Sequence, residues 1–273
     1  MTNNIKPIRV AIAGLGAIGK SLATHLANGA VPGVILTAVS AKNHDKAGEF
    51  IQSLAHPVKL LSIFELEPEA DVIVECAPAE ILSEIVSPFL RAKKKAIILS
   101  VGAILFRPEL IELAKTTGGT IMVPTGALLG LDAVIAAAEG EIFSVKMVTN
   151  KPPLGLKGAP HLIDNAISVD GLTEPLKVFS GNAREAAKGF PANLNVVVAL
   201  ALAGIGPEKT QLEIWADPTV VRNTHTIIVD SDSAKFSMKM ENIPSENPKT
   251  GRIVAQSVLA MLRKMQATLQ IGT

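Results

Sequence analysis

The sequence predicts an α/β fold in which a doubly wound parallel sheet comes first and a second α/β domain with a mixed sheet follows. Up to about residue 124, short apolar runs alternate with helical segments. Such runs are almost continuously apolar, as in strands that are covered on both faces of a parallel sheet. Beyond this point several strands alternate apolar and polar residues, which is typical of a sheet with one covered face.

The first region contains six predicted strands and four predicted helices. Apolar runs predict strands at residues 8–13, 34–39, 58–61, 71–77, 96–100 and 120–123. Apolar residues at helical spacing predict helices at residues 18–27, 45–54, 79–93 and 108–116. Regular alternation of the two kinds of element indicates a parallel sheet with helices on both faces.

The second region is predicted to begin with a helix rich in small residues, at 126–138. Strands are predicted at residues 141–150, 178–180, 210–215, 226–230 and 234–241, and a buried helix at 196–205. The strand at 234–241 alternates most cleanly, with Phe236, Met238 and Met240 on one face. A final helix at 251–266 carries an apolar stripe, so that it requires a partner to pack against.

Composition and charge exclude several classes of protein. The net charge of +1 and the absence of a long basic run argue against a nucleic-acid partner. Mean hydropathy is +0.36, but the longest nearly apolar run, 196–205, is too short to cross a bilayer, so no membrane partner is expected. Residues 1–7 lack the apolar core of a signal peptide, and Cys76 has no second cysteine to pair with. We therefore expect a cytoplasmic protein.

A glycine-rich segment follows the first strand: Gly14-Leu15-Gly16-Ala17-Ile18-Gly19. This G-x-G-x-x-G pattern is weak evidence alone, but here it lies between a strand and a helix, as the dinucleotide-binding fingerprint requires. Gly14 permits the tight turn, Gly16 lets the backbone approach a pyrophosphate, and Gly19 lets the helix pack close to the strand. The backbone N–H groups at Ala17 and Ile18 begin the helix and favour an anion. The sequence thus predicts a Rossmann-type domain that binds a nicotinamide dinucleotide.

The end of the second strand bears on the choice between NAD and NADP. NAD-binding domains usually have an acidic residue about 20 residues after the glycines, where it holds the ribose 2′-hydroxyl. Here Ser40, Lys42 and Asn43 occupy that position, and no acid precedes Asp45. Lys42 supplies a charge for a 2′-phosphate, so we expect NADP to be used, with NAD tolerated.

Two further loops follow strands of the first region, at residues 75–79 and 100–103. Ligands of open α/β sheets bind at the carboxyl ends of strands, which makes Cys76 and Ala77 candidate cofactor contacts. Cys76 has no Cys/His arrangement around it, so a cysteine packed beside the cofactor is favoured over a nucleophile.

The chemistry is expected in the second region. Of the five histidines, His225 has the most polar surroundings, in a turn just before a strand, and an ordinary histidine pKa near 6.5 suits proton transfer at neutral pH. The chain has no tyrosine, which excludes a Tyr/Lys dehydrogenase mechanism, and it has no metal-binding motif. Cations that could hold a carboxylate substrate are Lys151, Arg184, Lys188, Arg222 and Lys249, of which we select Lys151 and Arg184.

Several segments together resemble the L-aspartate dehydrogenase family, and the resemblance extends over nearly the whole chain. Beside the glycine loop and the segments at 75–77 and 100–103, these are Thr125-Gly126-Ala127 with Gly130-Leu131-Asp132, Lys151-Pro152-Pro153, residues 179–186, Phe190-Pro191-Ala192-Asn193-Leu194-Asn195-Val196, Asn223-Thr224-His225 and residues 241–250. The last three are the most specific, because a generic Rossmann protein does not need them.

The resemblance implies a homodimer of two-domain subunits. It assigns residues 1–124 and 245–273 to the Rossmann domain, which places the final helix there, and 125–244 to a substrate and dimerisation domain. It implies that His225 is catalytic, and that Ala127 and one of Asn193 and Asn195 contact the cofactor. Two departures concern fine specificity: Pro124-Thr125 replaces a serine-containing turn, and Leu128-Leu129 is bulkier than the small residues expected beside the nicotinamide.

The function that the resemblance implies is NAD(P)-dependent oxidative deamination of L-aspartate. The products would be iminoaspartate, or oxaloacetate and ammonia after hydrolysis, with the imine also able to enter NAD biosynthesis. Two alternatives stay open at this point: another amino- or keto-acid oxidoreductase on the same scaffold, and a non-catalytic protein that senses NAD(P).

Overall fold

The structure is a computed structural model that describes residues 6–190, 194–244 and 251–272. Asn193, one of the two asparagine candidates, lies outside these residues, and so do 245–250 of the last motif and its Lys249. The chain divides into two compact units. One consists of Met1–Gly126 with Val254–Gln270, and the other of Ala127–Ile253 with Ile271–Thr273.

The first unit alternates strands and helices in the predicted order. Its strands are β1 (Ile8–Ala13), β2 (Val34–Ser40), β3 (Lys59–Leu60), β4 (Val72–Glu75), β5 (Lys95–Ile98) and β6 (Thr120–Met122). Its helices up to that point are α1 (Ala17–Ala27), α2 (His44–Gln52), α3 (Leu82–Arg91), α4 (Val101–Ile104) and α5 (Pro108–Thr117). The short helix α4 was not predicted, because four residues are too few for a periodic pattern.

The six strands form one sheet in the order β3-β2-β1-β4-β5-β6, and every pair is parallel. This order reverses between β1 and β4, which is where sheets of this kind bind ligands at the carboxyl ends of their strands. The predicted doubly wound parallel sheet is confirmed.

Both faces of this sheet are buried, because successive strand residues point to opposite sides. Val10 and Ile12 of β1 belong to a cluster with Leu22 and Leu26 of α1. The strand residues between these, such as Ala11, point to the other face and pack in a second cluster with α3 and α5. This explains why the strands are apolar throughout and not alternating.

The helix α10 (Ile253–Gln266) packs on the first of these clusters, through Ala255, Val258 and Leu262. Near its end, the side-chain Nε2 of Gln266 donates to the carbonyl of Gly33 at 2.9 Å. The apolar stripe seen in the sequence is the face that this helix buries against the Rossmann sheet.

The second unit contains a five-stranded mixed sheet in the order β11-β10-β7-β9-β8. Its strands are β7 (Ile142–Lys151), β8 (Leu176–Asn182), β9 (Gln211–Ala216), β10 (Thr224–Ser231) and β11 (Lys235–Glu241). Its helices are α6 (Leu131–Ala137), α7 (Pro160–Asp164), α8 (Ala183–Gly189) and α9 (Asn195–Ala203). Only β7 and β9 are parallel, so the predicted mixed sheet is confirmed.

The helix predicted at 126–138 is wrong at its start, because α6 begins only at Leu131. Gly126 and Gly130 both have positive φ angles, of 62° and 68°, which a continuous helix does not allow. A side chain at Gly130 would also collide with the sulfur of Met238. Residues 126–127 therefore form a turn and 128–130 are irregular, so the segment is not the first part of a helix.

One face of the second sheet is covered, and the alternation predicted for it is clearest along β7 and β10. Val145 and Met147 of β7 lie on this face with Ile227 and Val229 of β10, and all four are buried. Following the same alternation, the next residues toward the end of β7 and the start of β10 are polar. The covered face is thus apolar along the middle of β7 and β10, and polar where β7 ends and β10 begins.

Candidate functional site

The glycine loop of the first unit has the close contacts that its pattern predicts. Gly14 has a φ of 101°, and a Cβ there would lie 2.4 Å from the carbonyl oxygen of Cys76. A Cβ at Gly19 would lie on the carbonyl oxygen of Gly14. Both positions therefore exclude any side chain, because the loop, α1 and the end of β4 touch through backbone atoms.

Gly16 differs from these two, since a Cβ there would meet nothing within 4 Å. It caps α1 without a side-chain hydrogen bond, and the first turn of α1 has no acidic residue. The amide groups of the first turn have no acceptor within the helix, and they lie at the positive end of its dipole. A side chain at Gly16 would fill the open space there, where the fingerprint predicts the pyrophosphate of a dinucleotide.

A buried carboxylate, which the sequence analysis did not select, holds the next two loops together. Glu75 ends β4 and is fully buried. It accepts hydrogen bonds from the amides of Ala77, Leu99 and Ser100 at 2.9–3.1 Å, and from the Ser100 hydroxyl at 3.0 Å. Burial raises the pKa of Glu75, while these donors oppose the shift. Glu75 thus fixes the loops after β4 and β5, where Cys76 and Ala77 lie.

Cys76 shows no sign of activation. Burial raises the pKa of its thiol well above the usual value, and the nearby Glu75 carboxylate adds to the shift. A thiol that stays protonated is a poor nucleophile. Its carbonyl and the following amide, by contrast, are the atoms that approach Gly14 most closely.

The loop after β2 presents one exposed cation. Ser40 ends β2 and is buried, and its carbonyl accepts from the amide of Gly14 at 2.8 Å. Lys42 is exposed. Asn43 caps α2, since its Oδ1 accepts from the amide of Lys46 at 3.0 Å. Of the three residues considered for a 2′-phosphate, Lys42 carries the only positive charge.

In the second unit, buried polar side chains gather where the covered sheet face becomes polar. Thr149, Lys151 and His225 all lie on this face and are 3–4% exposed. Thr149 pairs with His225 in the antiparallel ladder between β7 and β10. Lys151 lies two residues beyond Thr149 on the same strand, so its side chain emerges on the same side.

His225 is the best-defined member of this cluster, and the structure corrects two expectations about it. It is the second residue of β10 and is buried, whereas we expected a polar turn before the strand. Burial and the charge of Lys151 lower the pKa of His225 from its ordinary value to about 3. The two polar residues on either side of it, Thr224 and Thr226, point to the other face of the strand. His225 is consequently a neutral imidazole at physiological pH.

The ring of His225 is oriented by one hydrogen bond. Its Nδ1 lies 3.0 Å from the Oγ1 of Thr149. The other ring nitrogen, Nε2, makes no hydrogen bond to any residue that the structure describes. Thr149 was missed by the sequence analysis, because only the register of β7 against β10 brings it to His225.

The connection from β9 to β10 is held in place by Asp217. Its amide donates to the carbonyl of Lys151 at 2.8 Å. Its carboxylate accepts from the Thr219 amide and hydroxyl at 2.9 and 2.6 Å, and from Asn150 at 3.0 Å. These bonds hold the pKa of Asp217 below its usual value. They also fix the backbone around Lys151 and the segment that leads to His225.

Asn242, another residue that the sequence analysis did not select, joins this cluster from the end of β11. It is 4% exposed, and its Nδ2 donates to the carbonyl of Ala127 at 3.0 Å. Its amide donates to the carbonyl of Asn223, which extends the ladder between β10 and β11 by one residue. Ala127, a predicted cofactor contact, is thereby tied to the strand beside His225.

The structure does not bring Arg184 to this cluster. Lys151 pairs with Ala216 at the end of β9, whereas Asn182, two residues before Arg184, pairs with Gln211 at its start. The two ends of β9 are five residue steps apart, which is roughly 17 Å. Arg184 forms a surface ion pair with Glu208. Motif position alone had suggested Arg184, because its place relative to β9 is invisible in the sequence.

The remaining candidates lie elsewhere in the second unit. Lys188 is exposed on α8, and Arg222 is exposed and lines a cavity on the other face of the sheet. Asn195 is the first residue of α9. Within the described residues there is no group of three or more His, Cys, Asp or Glu side chains that could hold a metal ion. None of the helices in these residues has the length and apolar character needed to span a membrane.

Comparison with known proteins gives both units a counterpart. Residues 132–265 match the C-terminal domain of aspartate dehydrogenase, and residues 14–124 match the NAD-binding domain of homoserine dehydrogenase. L-aspartate dehydrogenase 3 of Bordetella bronchiseptica is 63% identical over 264 residues, which cover 97% of each chain. The chain belongs to the aspartate dehydrogenase family. The resemblance seen in the motifs is thus confirmed.

Other members of the aspartate dehydrogenase family agree with this assignment. The L-aspartate dehydrogenase of Bradyrhizobium diazoefficiens is 57% identical over 266 residues, covering 97% of this chain and 94% of that one. The crystal structure of aspartate dehydrogenase from Thermotoga maritima superposes with a TM-score of 0.75 at 26% identity, covering 97% of this chain and 99% of that one. The family's NAD(P)-binding domain is therefore present in this chain, and the expected cofactor class is confirmed.

Proposed function

We propose that this protein is an NAD(P)-dependent L-aspartate dehydrogenase. The observation that carries the proposal is the buried cluster of Thr149, Lys151 and His225, in a chain 63% identical to an L-aspartate dehydrogenase. A neutral base and a buried cation on one sheet face suit a substrate that must lose a proton and that carries carboxylates. The reaction gives iminoaspartate, which water converts to oxaloacetate and ammonia.

In this proposal the first unit holds the dinucleotide. The pyrophosphate lies against Gly14, Gly16, Ala17, Ile18 and Gly19, where the start of α1 offers free amides beside open space. When bound, the nicotinamide accepts the hydride that leaves Cα of the amino acid. The protein supplies position and charge for that transfer.

Further proposed cofactor contacts lie outside the glycine loop. Ser40 and Lys42 hold the adenosine ribose, and the charge of Lys42 favours the 2′-phosphate of NADP, with NAD also accepted. Cys76 and Ala77 contact the cofactor through the loop that Glu75 fixes. Ala127 and one of Asn193 and Asn195 complete the set.

His225 acts in the proposal as the proton acceptor. Being neutral, it has a lone pair available, and Nε2 can hold it if Nδ1–H donates to Thr149 Oγ1. It accepts a proton from the substrate's amino group or from the water that attacks the imine. A positioned general base contributes roughly 10²–10⁴-fold to the rate.

Lys151 binds a substrate carboxylate in this scheme, whereas Arg184 is left out because of its place at the other end of the sheet. The charge of Lys151 contributes to the low pKa of His225. A carboxylate paired with Lys151 offsets that charge, so that binding of substrate raises the basicity of His225. The base is then strengthened only when substrate is present.

The cellular setting completes the proposal. We place the enzyme in the cytoplasm, where the single thiol of Cys76 stays reduced, and we assign its imine product to NAD biosynthesis.

We also propose a homodimer formed through the second unit, whose sheet leaves Ile228 partly exposed on the face opposite His225. Light scattering of the purified protein measures the oligomeric state.

Initial rates with a panel of amino acids, each with NADP and NAD, test the proposed function. L-aspartate should be the preferred substrate. His225→Ala should lower kcat for aspartate by about 10²–10⁴-fold, with the affinity for NADP unchanged, while the exposed His56→Ala serves as the matched control. No turnover of aspartate by the wild type, or faster turnover of another amino acid, would overturn the proposal.

A further inference from the structure

The side-chain amide of Asn242 is held at one end only. Its Nδ2 donates to the carbonyl of Ala127, but its Oδ1 is buried and has no hydrogen-bond partner among the described residues. Turning the amide around would bring two carbonyl oxygens together, so the orientation is fixed by Ala127. The open end of Asn242 is therefore an acceptor.

An unpartnered acceptor in this setting needs an explanation. More than nine in ten buried polar groups in folded proteins have a partner, because desolvation without a hydrogen bond is costly. Asn242 Oδ1 is the buried side-chain atom without a partner in the part of the chain that the structure covers. Such an oxygen is suited to a donor that comes from a ligand.

The position of Asn242 shows which ligand it can meet. Met240 of β11 pairs with His225 of β10, and two residues further along β11 the amide of Asn242 bonds to the carbonyl of Asn223. Because side chains alternate along a strand, Asn242 lies on the same face as Met240 and His225. Asn242 thus lies on the sheet face that carries the buried polar side chains of Thr149, Lys151 and His225.

The neighbouring glycine keeps this oxygen uncovered. A Cβ at Gly251 would lie 3.1 Å from Asn242 Oδ1 and 3.4 Å from its Cβ. Gly251 is buried and forms a bridge with Pro244. The φ angle of Gly251 is not positive, so the backbone conformation does not require glycine here. A side chain at this position would instead occupy the space beside Asn242.

We infer that Asn242 Oδ1 accepts a hydrogen bond from the amino group of the substrate, an inference that rests on the proposed function. L-aspartate has two carboxylates, which can only accept, and its donor hydrogens are all on the amino nitrogen. An amide oxygen can accept from that nitrogen whether it is protonated or neutral. With a carboxylate on Lys151 and the amino group on Asn242, the substrate is held at two points on either side of Cα.

The reverse reaction offers a sharp test, because it takes the amino group from ammonia and the carbon skeleton from oxaloacetate. Asn242→Ala should raise KM for ammonia about 10- to 100-fold, the loss expected for a hydrogen bond to a charged or strongly polar group. KM for oxaloacetate and the Kd of NADPH, the latter measured by its own fluorescence, should each change less than threefold.

Asn242→Asp is the matched variant. It weakens the bond to Ala127 as the alanine variant does, but it keeps an acceptor oxygen in either protonation state. Its KM for ammonia should therefore stay at least tenfold below that of Asn242→Ala. If Asn242→Ala fails to fold, Gly251→Ala takes its place, since its methyl group crowds Oδ1 while the bond to Ala127 stays; it should also raise KM for ammonia.

Three results would overturn the inference. Equal losses in the Asp and Ala variants would assign the effect to the bond with Ala127. A tenfold weaker Kd for NADPH with an unchanged KM for ammonia would assign the donor to the cofactor's carboxamide. An Asn242→Ala enzyme whose KM for ammonia and Kd for NADPH both equal those of the wild type would leave Asn242 without a role in binding. A wild type that does not convert aspartate would instead overturn the proposed function.

Discussion

The imidazole of His225 faces the hydroxyl of Thr149 across the ladder between β10 and β7, with 3.0 Å between Nδ1 and Oγ1. Both residues are buried, so that no solvent competes for this bond. If Nδ1–H is the donor, the lone pair of the ring is on Nε2. Thr149 then determines which nitrogen of His225 can accept a proton.

Thr149→Val tests this role with little change in side-chain shape. Without an acceptor at this position the Nδ1–H tautomer loses its support, and kcat for aspartate should fall about tenfold, the equivalent of roughly 1.4 kcal/mol. Thr149→Ser keeps the hydroxyl and should retain most of the activity. Equal rates for the valine and serine variants would show that the hydroxyl does not orient His225.

The low pKa of His225 also predicts how the free energy of unfolding depends on pH. In the unfolded chain His225 titrates near 6.5, and in the folded protein near 3. Between these two pH values the imidazole is protonated in the unfolded chain but not in the folded protein. The contribution of neutral His225 to the free energy of unfolding is therefore fully present above pH 6.5 and is lost as the pH falls toward 3. Between pH 7 and pH 5 the loss due to His225 should be about 2 kcal/mol.

Urea unfolding of the wild type and of His225→Gln at these two pH values measures this loss. The free energy of unfolding of the wild type should drop by about 2 kcal/mol more than that of the variant. The exposed His56→Gln serves as the control and should follow the wild type. Parallel curves for the wild type and His225→Gln would contradict the low pKa of His225.

The glycine loop allows a contrast between two substitutions. Gly16→Val projects its side chain into open space at the start of α1, so the protein should fold and lose affinity for NADP by at least tenfold. Gly19→Val has no such space, because its Cβ would overlap the Gly14 carbonyl, and it should destabilise the fold. Thermal unfolding and NADPH titration separate these effects. Unchanged NADP affinity in Gly16→Val would contradict a pyrophosphate at this loop.

The preference for NADP depends on Lys42 in our proposal. Lys42→Ala should weaken binding of NADP about 10-fold and of NAD less than twofold, because only NADP has a 2′-phosphate to pair with the lysine. Lys115→Ala removes an exposed lysine from α5, on another helix of the same unit, and controls for net charge. A wild type that strongly prefers NAD would contradict the proposal.

The sequence could predict the parts of the site that are formed by residues close together in the chain, but not the parts that depend on how strands pair. The glycine loop is local, with Gly14 and Gly19 five residues apart, so its pattern and context sufficed. Strand register brings Thr149 to His225 and puts Asn242 on the same sheet face, and one sequence does not reveal register. The separation of Arg184 from Lys151 was hidden for the same reason: Arg184 stands in a family motif, but β8 and β9 put it near the opposite end of β9.

The packing of α10 has a consequence for the order in which the chain is made. Ala255, Val258 and Leu262 fill the same cluster as Val10 and Ile12 of the first strand, yet more than 240 residues are synthesised between them. During translation the main segment of the second unit, Ala127–Ile253, is therefore synthesised before the first unit can bury this face. Until α10 emerges, the nascent Rossmann sheet exposes an apolar surface of the kind that chaperones recognise.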